Sequence, residues 1–246
     1  LDYYVRMARE LEDAGCHIIG IKDMAGLCKP TAVKLLVEAV KAETNLPVHF
    51  HTHDTSGIAA ASVLAAVDAG VDAVDAAMDS FSGLTSQPNL GSIIEALRDT
   101  DRDSGIDPSV VRRFSNYWEF VRKDYSGFES DLRFGASEVY LHEMPGGQFT
   151  NLKEQARSLG LEERWHEVAE TYAEVNQMFG DIVKVTPSSK VVGDMALSMV
   201  SAGISRAEVE DPDREVAFPE SVVSLFHGDL GQPPGGFPKA LQTKIL

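Results

Sequence analysis

Positive charge is what this sequence is most obviously short of. Its 246 residues include 22 lysines and arginines against 38 aspartates and glutamates, a formal net charge of −16. A surface of that sign repels phosphate backbones and anionic headgroups, so neither nucleic acid nor a membrane is expected as a partner. Cysteine is scarce too. Cys16 and Cys28 provide no disulfide framework and suit a reducing compartment. No apolar run approaches the roughly 20 residues of a membrane-spanning helix, and no signal peptide is visible. Low complexity is absent, and charges crowd only in the loop from Asp99 to Asp103. A natural beginning is missing as well: Leu1 opens inside an amphipathic pattern (Val5, Ala8, Leu11), which leads us to expect a segment of a longer chain.

What is present is length enough for one large domain or two smaller ones, each with a real core. Three units of similar grammar fill the first hundred residues. A helix from Leu1 to Ala14 closes at Gly15, and a β-branched strand, His17 to Ile21, runs into Lys22-Asp23. A second helix, Thr31 to Ala42, places Val33, Leu36, Val37 and Val40 on one face. A third, Ile58 to Ala69, ends in Gly70 as the first ends in Gly15, glycine supplying a left-handed cap, before a strand from Val71 to Ala76. Ile93 to Leu97 belongs to a fourth helix. Such alternation specifies a parallel sheet, and its spacing fits the last part of a TIM (β/α)8 barrel, since a closed barrel needs eight strands. An open doubly wound sheet is the alternative, but no G-x-G-x-x-G follows any strand, which weakens a dinucleotide reading. Beyond Ile106 the pattern turns helical, with segments at Asp107–Lys123, Phe149–Ser158, Glu163–Phe179, Ser188–Ser201 and Pro219–Phe226. The aromatics Phe114, Tyr117, Trp118 and Phe120 read as packing, and Met144-Pro145-Gly146-Gly147 as a turn. The expected division is therefore 1–104, barrel units, and 105–246, a mainly α-helical domain completing the active-site funnel.

The chemistry concentrates at the strand ends. In Pro47-Val48-His49-Phe50-His51-Thr52-His53 the three histidines share one strand face. Two imidazoles at i and i+2 can hold one divalent ion; the alternative is a polar strand terminus whose histidines hydrogen-bond locally. Active sites of parallel sheets gather at the carboxyl ends of strands, and Lys22-Asp23, His51 and His53, and Asp75 and Asp79 all fall there. A protonated Lys22 cannot ligate a metal. It is open to three readings: a structural ion pair, an anion site, or a buried free amine that captures carbon dioxide as an anionic carbamate. Further on, Thr186-Pro187-Ser188-Ser189 reads as a helix start, with Ser188 or Ser189 as the N-cap.

Several long strings carry a resemblance. Gly20-Ile-Lys-Asp-Met-Ala-Gly26, His49-Phe-His-Thr-His-Asp-Thr-Ser-Gly57, Glu143-Met-Pro-Gly-Gly-Gln148, Val185-Thr-Pro-Ser-Ser-Lys-Val-Val-Gly-Asp-Met-Ala196 and the Gly-Asp-Leu-Gly-Gln-Pro-Pro-Gly-Gly turn from Gly228 to Gly236 resemble the carboxyltransferase domain of pyruvate carboxylases. The resemblance covers essentially the whole chain. It implies that Lys22 is the carboxylated lysine and that His51 and His53 are paired ligands of Zn²⁺ or Mn²⁺, with His49 deeper and packed or hydrogen-bonded. It implies that Thr186 passes a proton between the methyl group of pyruvate and biotin, and that Ser189 and Lys190 line the biotin pocket. The reaction implied moves carbon dioxide from carboxybiotin to pyruvate, giving oxaloacetate. Biotin would arrive on the carrier domain of the same or a neighbouring subunit of a homotetramer, and another domain would use ATP and bicarbonate. In the family a further aspartate ligand and the pyruvate-binding arginine and glutamine lie on earlier barrel strands, with no counterpart here, so the segment alone is expected to bind metal poorly. The rival readings are a biotin-dependent decarboxylase or transcarboxylase, a metal-dependent aldol-type lyase or acyl-CoA synthase with its own H-x-H, and a scaffold fragment.

Overall fold

Glycine punctuates the first half of the fold. After helix α1 (Asp2–Asp13) the chain passes through Ala14 to Gly15, whose φ of 88° lets Cys16 N–H reach back to the Leu11 carbonyl at 3.0 Å. The same closure follows α3 (Ala59–Asp68): Gly70 has φ 92° and Val71 N–H bonds the Ala66 carbonyl at 3.1 Å. Both positions need a residue at ease in the left-handed region, which glycine alone supplies without steric cost. The computed structural model describes all 246 residues.

Strands β1 (Ile19–Asp23), β2 (Val48–Thr52) and β3 (Ala73–Val74) form a parallel sheet in that order, interleaved with α2 (Pro30–Glu43) and α3. Pro30 opens α2 where its missing N–H costs nothing, and Val33, Val37 and Val40 are buried along one face as the 3.6-residue period requires. In β2 the alternation is strict: Val48, Phe50 and Thr52 are buried, while His49 and His51 are half-buried on the other face. Burial of Phe50 alone contributes on the order of 2 kcal/mol, and these apolar faces meet in one core with Ile19, Val63 and Ile93. The register pairs Lys22 with His51, Asp23 with Thr52, and His49 with Ala73. Helices α4 (Leu90–Leu97) and α5 (Pro108–Arg122) follow, capped by the side chains of Asn89 and Asp107.

The chain divides into two compact units, Leu1–Val139 and Tyr140–Leu246. The second is built from α6 (Val139–His142), α7 (Gly146–Ser158), α8 (Trp165–Met178), α9 (Ser188–Ala202), α10 (Arg206–Glu210), α11 (Glu220–His227) and α12 (Lys239–Ile245). Its own core includes Leu152, Tyr172, Phe179, Met195, Met199 and Phe226. Gly193 lets α7 approach α9: a Cβ there would lie 2.5 Å from Gln148 Nε2 and 2.8 Å from Leu152 Cδ1. No helix is long and apolar enough to cross a membrane.

The architecture is α/β with a small parallel sheet and a helical remainder. Several details differ from the sequence reading. β1 begins two residues later, at Ile19, so Lys22 and Asp23 lie in the strand itself. α5 packs on the first unit through Ser115 Oγ, which accepts the Ser80 N–H at 3.2 Å, and through the Arg112–Glu95 ion pair at 2.7 Å, so the compact units divide at 139/140 rather than near 105. Phe114, Tyr117 and Phe120 are exposed, because α5 turns Val111 and Ser115 inward and its aromatics outward. Gly146 and Gly147 start α7 instead of making a turn: Phe149 N–H already bonds the Pro145 carbonyl at 2.8 Å. Ser188 and Ser189 do not cap α9, which begins at Ser188 after Pro187 with no side-chain cap.

Candidate functional site

Two imidazoles meet at the carboxyl end of β2. The Nε2 atoms of His51 and His53 stand 3.2 Å apart. Each ring has its other nitrogen engaged: His51 Nδ1 lies 2.7 Å from Asp75 Oδ2, and His53 Nδ1 lies 2.7 Å from the Thr85 carbonyl oxygen. A carbonyl and an ionised carboxylate can only accept, so both Nδ1 atoms carry the proton; with both rings neutral, the two Nε2 atoms present lone pairs to one point. Lone pairs aimed at each other repel, whereas a shared cation would resolve the clash. Nitrogens held roughly 2.0–2.1 Å from one ion at near-tetrahedral angles stand roughly 3.3–3.4 Å apart, close to the spacing seen. His53 is held below the ordinary imidazole range chiefly by burial, against the pull of the Thr85 carbonyl, with the neighbouring His51 and the Lys22 ammonium lowering it further. It is thus a neutral ring at pH 7, the form a metal needs. The donor pair fits a borderline ion such as Zn²⁺, and would fit the harder Mn²⁺ with oxygen ligands added.

The supports of this pair come from three strands. Asp75 follows β3 directly and divides its carboxylate, one oxygen to His51 and the other to His49 Nε2 at 2.9 Å. Burial works to raise the Asp75 pKa, but the hydrogen bonds from His51 and His49 outweigh it and hold the group below the usual carboxylate range. His49 is therefore hydrogen-bonded, the second of the two roles expected for it. Asp23, at the end of β1, accepts from Leu27 N–H, Cys28 N–H and Thr52 Oγ1 at 2.7–2.9 Å, fixing the loop after β1 to the end of β2. Within that loop Gly26 has φ 73°, and a Cβ there would sit 2.2 Å from the His53 carbonyl oxygen. Asp54 Oδ1 accepts the Ala59 N–H at 2.9 Å at the head of α3.

Lys22 stands beside His51 in the β1–β2 register, and its charge is felt at His53. It lies on the edge strand, its side is exposed, and no carboxylate takes it into an ion pair, so the structural-ion-pair reading has no partner. Beyond the imidazole pair, no third His, Cys, Asp or Glu side chain is placed to share a metal ion with them. Thr186, Ser189 and Lys190 lie on one turn at the head of α9, in the second unit. Thr186 is exposed before a cis bond to Pro187, Ser189 is buried with its carbonyl 3.4 Å from the Tyr172 hydroxyl, and Lys190 reaches Asp194 at 2.6 Å. Sequence reasoning placed Asp75 at a strand end without a role, named Gly26 only as the end of a string, and passed over Thr85. Only the β2–β3 register signals the first, and the other two act through backbone atoms, which side-chain chemistry does not announce.

Comparison with known proteins bears on the whole chain. The family described as "HMGL-like" matches residues 1–117, and the family described as "Conserved carboxylase domain" matches residues 139–246. The chain is 54% identical over its full length to pyruvate carboxylase of Bacillus subtilis, and 49% identical to mitochondrial pyruvate carboxylase of Homo sapiens. In both cases it spans 21% of the relative's length. Among solved structures, the carboxyl transferase domain of Rhizobium etli pyruvate carboxylase with pyruvate and biocytin superposes with a TM-score of 0.98 at 71% identity. That match covers 99% of this chain and 41% of the other. The complete multifunctional enzyme from the same organism matches with a TM-score of 0.97, this chain covering 24% of it. Identity at this level along the whole chain, with the two family matches, leaves one assignment: the chain belongs to the pyruvate carboxylase family, as a segment of its carboxyltransferase domain.

Proposed function

We propose that this segment supplies part of a carboxyltransferase site that makes oxaloacetate from pyruvate, and that its sheet is the last part of a TIM barrel. The observation that carries the reading is the convergence of the His51 and His53 Nε2 atoms, each ring locked through Nδ1, in a chain similar to a domain solved with pyruvate and biocytin. His51 and His53 would hold Zn²⁺ or Mn²⁺, and Lys22, as a carbamate, would add the anionic oxygen ligand that two neutral imidazoles lack. When bound, the metal supplies Lewis acidity toward substrate and enolate charge, and biotin from another domain supplies the carboxyl group and a nitrogen that accepts a proton.

The protein's own part is positioning and proton transfer. A threonine hydroxyl donates and accepts at once, so Thr186 can give its proton to the acceptor nitrogen while taking one from the pyruvate methyl group. It is too weak a base to act unaided, and the effect rests on geometry. Ser189 and Lys190 on the same turn would bound the biotin pocket. Assembly as a homotetramer and delivery of biotin by a carrier domain belong to the same reading. So does residence in bacterial cytoplasm, although the relatives include both bacterial and mitochondrial enzymes. A decarboxylase or transcarboxylase is disfavoured, since relatives 48–54% identical along the whole chain are pyruvate carboxylases.

The test is Thr186→Ala in the full-length carboxylase. Oxaloacetate formation should fall by on the order of 100-fold or more, as expected for loss of a positioned proton-transfer group. Bicarbonate-dependent ATP cleavage should be spared. Retained pyruvate carboxylation would rule out the relay.

A further inference from the structure

The segment that carries Thr186 runs between α8 and α9 as an irregular strap, Asp181 to Pro187, with several exposed residues. Ile182 is its one residue buried in the core, and Val183 and Val185 are exposed, so whatever fixes the path beyond Ile182 decides where the Thr186 hydroxyl stands. Its first end is tied by Asp181, whose carboxylate accepts from Asn176 Nδ2 at 2.8 Å. Its last end is tied by Ser188 Oγ, which accepts the Val185 N–H at 3.1 Å and lies 2.6 Å from the Val183 carbonyl. Ser188 is thus occupied by the strap rather than by the helix.

The middle of the strap has one long-range polar attachment. Lys184 Nζ meets Glu143 Oε2 at 2.8 Å across 41 residues of sequence, and the lysine side chain is only 11% exposed. Nothing in local structure produces this pair. Glu143 sits between two buried residues, His142 and Met144, and takes φ 53°, a conformation unfavourable for any residue with a Cβ. Such backbone outliers mark places where the surroundings impose a geometry, and they gather at functional sites. Here the left-handed turn presents the carboxylate to the strap while its two neighbours stay in the core. The carboxylate also lies within electrostatic reach of the Tyr172 hydroxyl, which is pushed up mainly by burial and further by the Glu143 charge. That hydroxyl in turn faces the Ser189 carbonyl at 3.4 Å.

We infer that Glu143 and Lys184 form a positioning pair that fixes the strap and thereby sets the Thr186 hydroxyl in its working place. The inference rests on the relay reading of Thr186 for its catalytic consequence, but its geometric content stands apart. Neither residue needs to touch substrate. The pair acts by denying the strap the freedom that would turn a positioned donor into a wandering one.

The experiment uses the full-length carboxylase with Lys184→Met, which keeps the stem and removes the charge, Glu143→Gln, and the double exchange Glu143→Lys with Lys184→Glu. Two quantities are read. Amide hydrogen exchange in peptides spanning 181–190 should speed by about tenfold in the single variants, with peptides from α8 unchanged, which also certifies the fold. The kcat for oxaloacetate formation should fall roughly 10- to 100-fold with KM for pyruvate and bicarbonate-dependent ATP cleavage held, because the lost interaction orients a group rather than binds substrate. The double exchange should recover most of both. Unchanged exchange in the strap overturns the pair as its anchor, and so does failure of the double exchange to restore protection. Faster exchange with an undiminished kcat overturns the catalytic consequence if Thr186→Ala is itself inactive. A fully active Thr186→Ala overturns the relay instead, and the exchange data then judge the pair alone.

Discussion

His51 and His53 are each fastened through Nδ1 and face each other through Nε2 at 3.2 Å, which in the proposed metal site would make two separate side chains act as one preformed pincer. The fastening matters because an unheld imidazole would spread its lone pair over many directions, and orienting partners of metal-bound histidines typically govern affinity by about 10- to 100-fold. In the full-length carboxylase, Asp75→Ala should therefore lower metal affinity by roughly that factor, read by metal analysis after graded chelation. Lys22→Ala should lower metal occupancy as well, through loss of an anionic ligand; unchanged metal content there would sink the carbamate assignment. At this scale much was legible beforehand. The i, i+2 spacing of the histidines and the strand-end place of Lys22 follow from a period of two, which a strand imposes on any sequence. The partners were not legible. Asp75 reaches His49 and His51 only because β3 lies beside β2 in a particular register. A register is a property of two segments, and neither one states it alone.

Elements carry the next level of control, and the loop after β1 shows it most plainly. Gly26 lies against the His53 carbonyl, so the backbones of two loops cross with no room for a methyl group between them. Gly26→Ala combines a left-handed residue, worth about 1–2 kcal/mol, with a direct backbone clash, and should destabilise by more than about 2 kcal/mol in urea unfolding while reducing metal retention. Gly15→Ala is the matched comparison. It has a similar φ but open space around it, so only the backbone cost of about 1 kcal/mol applies and metal content should not change. Equal effects of the two would mean that the crossing does not position His53. Helices of two turns or more were readable from periodicity, α2 and α8 among them, because a buried stripe needs that length to show. The four residues of α6 and the five of α10 leave no period to read. The glycines that open α7 read as a turn because glycine's freedom serves both fates.

At the scale of the whole molecule, two cores divide the work. The first unit holds the sheet and the histidine pair, and the second holds the Thr186 strap on a helical frame whose buried residues are its own. A core containing Tyr172, Phe179, Phe226 and several fully buried methionines and valines should sustain residues 140–246 as an autonomous fold. Expressed alone, that segment should unfold in a single cooperative thermal transition followed by circular dichroism; a gradual, non-cooperative loss of signal would refute it. The change of grammar past Ile106 was visible in the sequence, yet the units part at 139/140. Composition reports what a helix is made of and is silent on which core receives it, and α5 went to the first.

The sheet itself stops at β1 on one side and β3 on the other, each leaving a row of backbone donors and acceptors without a neighbouring strand in this chain. Open edges of parallel strands invite pairing with any other edge that comes near, including that of an identical copy. In the barrel proposed above, the other strands would pair with these edges; a segment expressed alone would leave them bare, and its net charge of −16 would then hold copies apart at low ionic strength, where the field extends about 30 Å, and less so near 1 M salt, where the reach is about 3 Å.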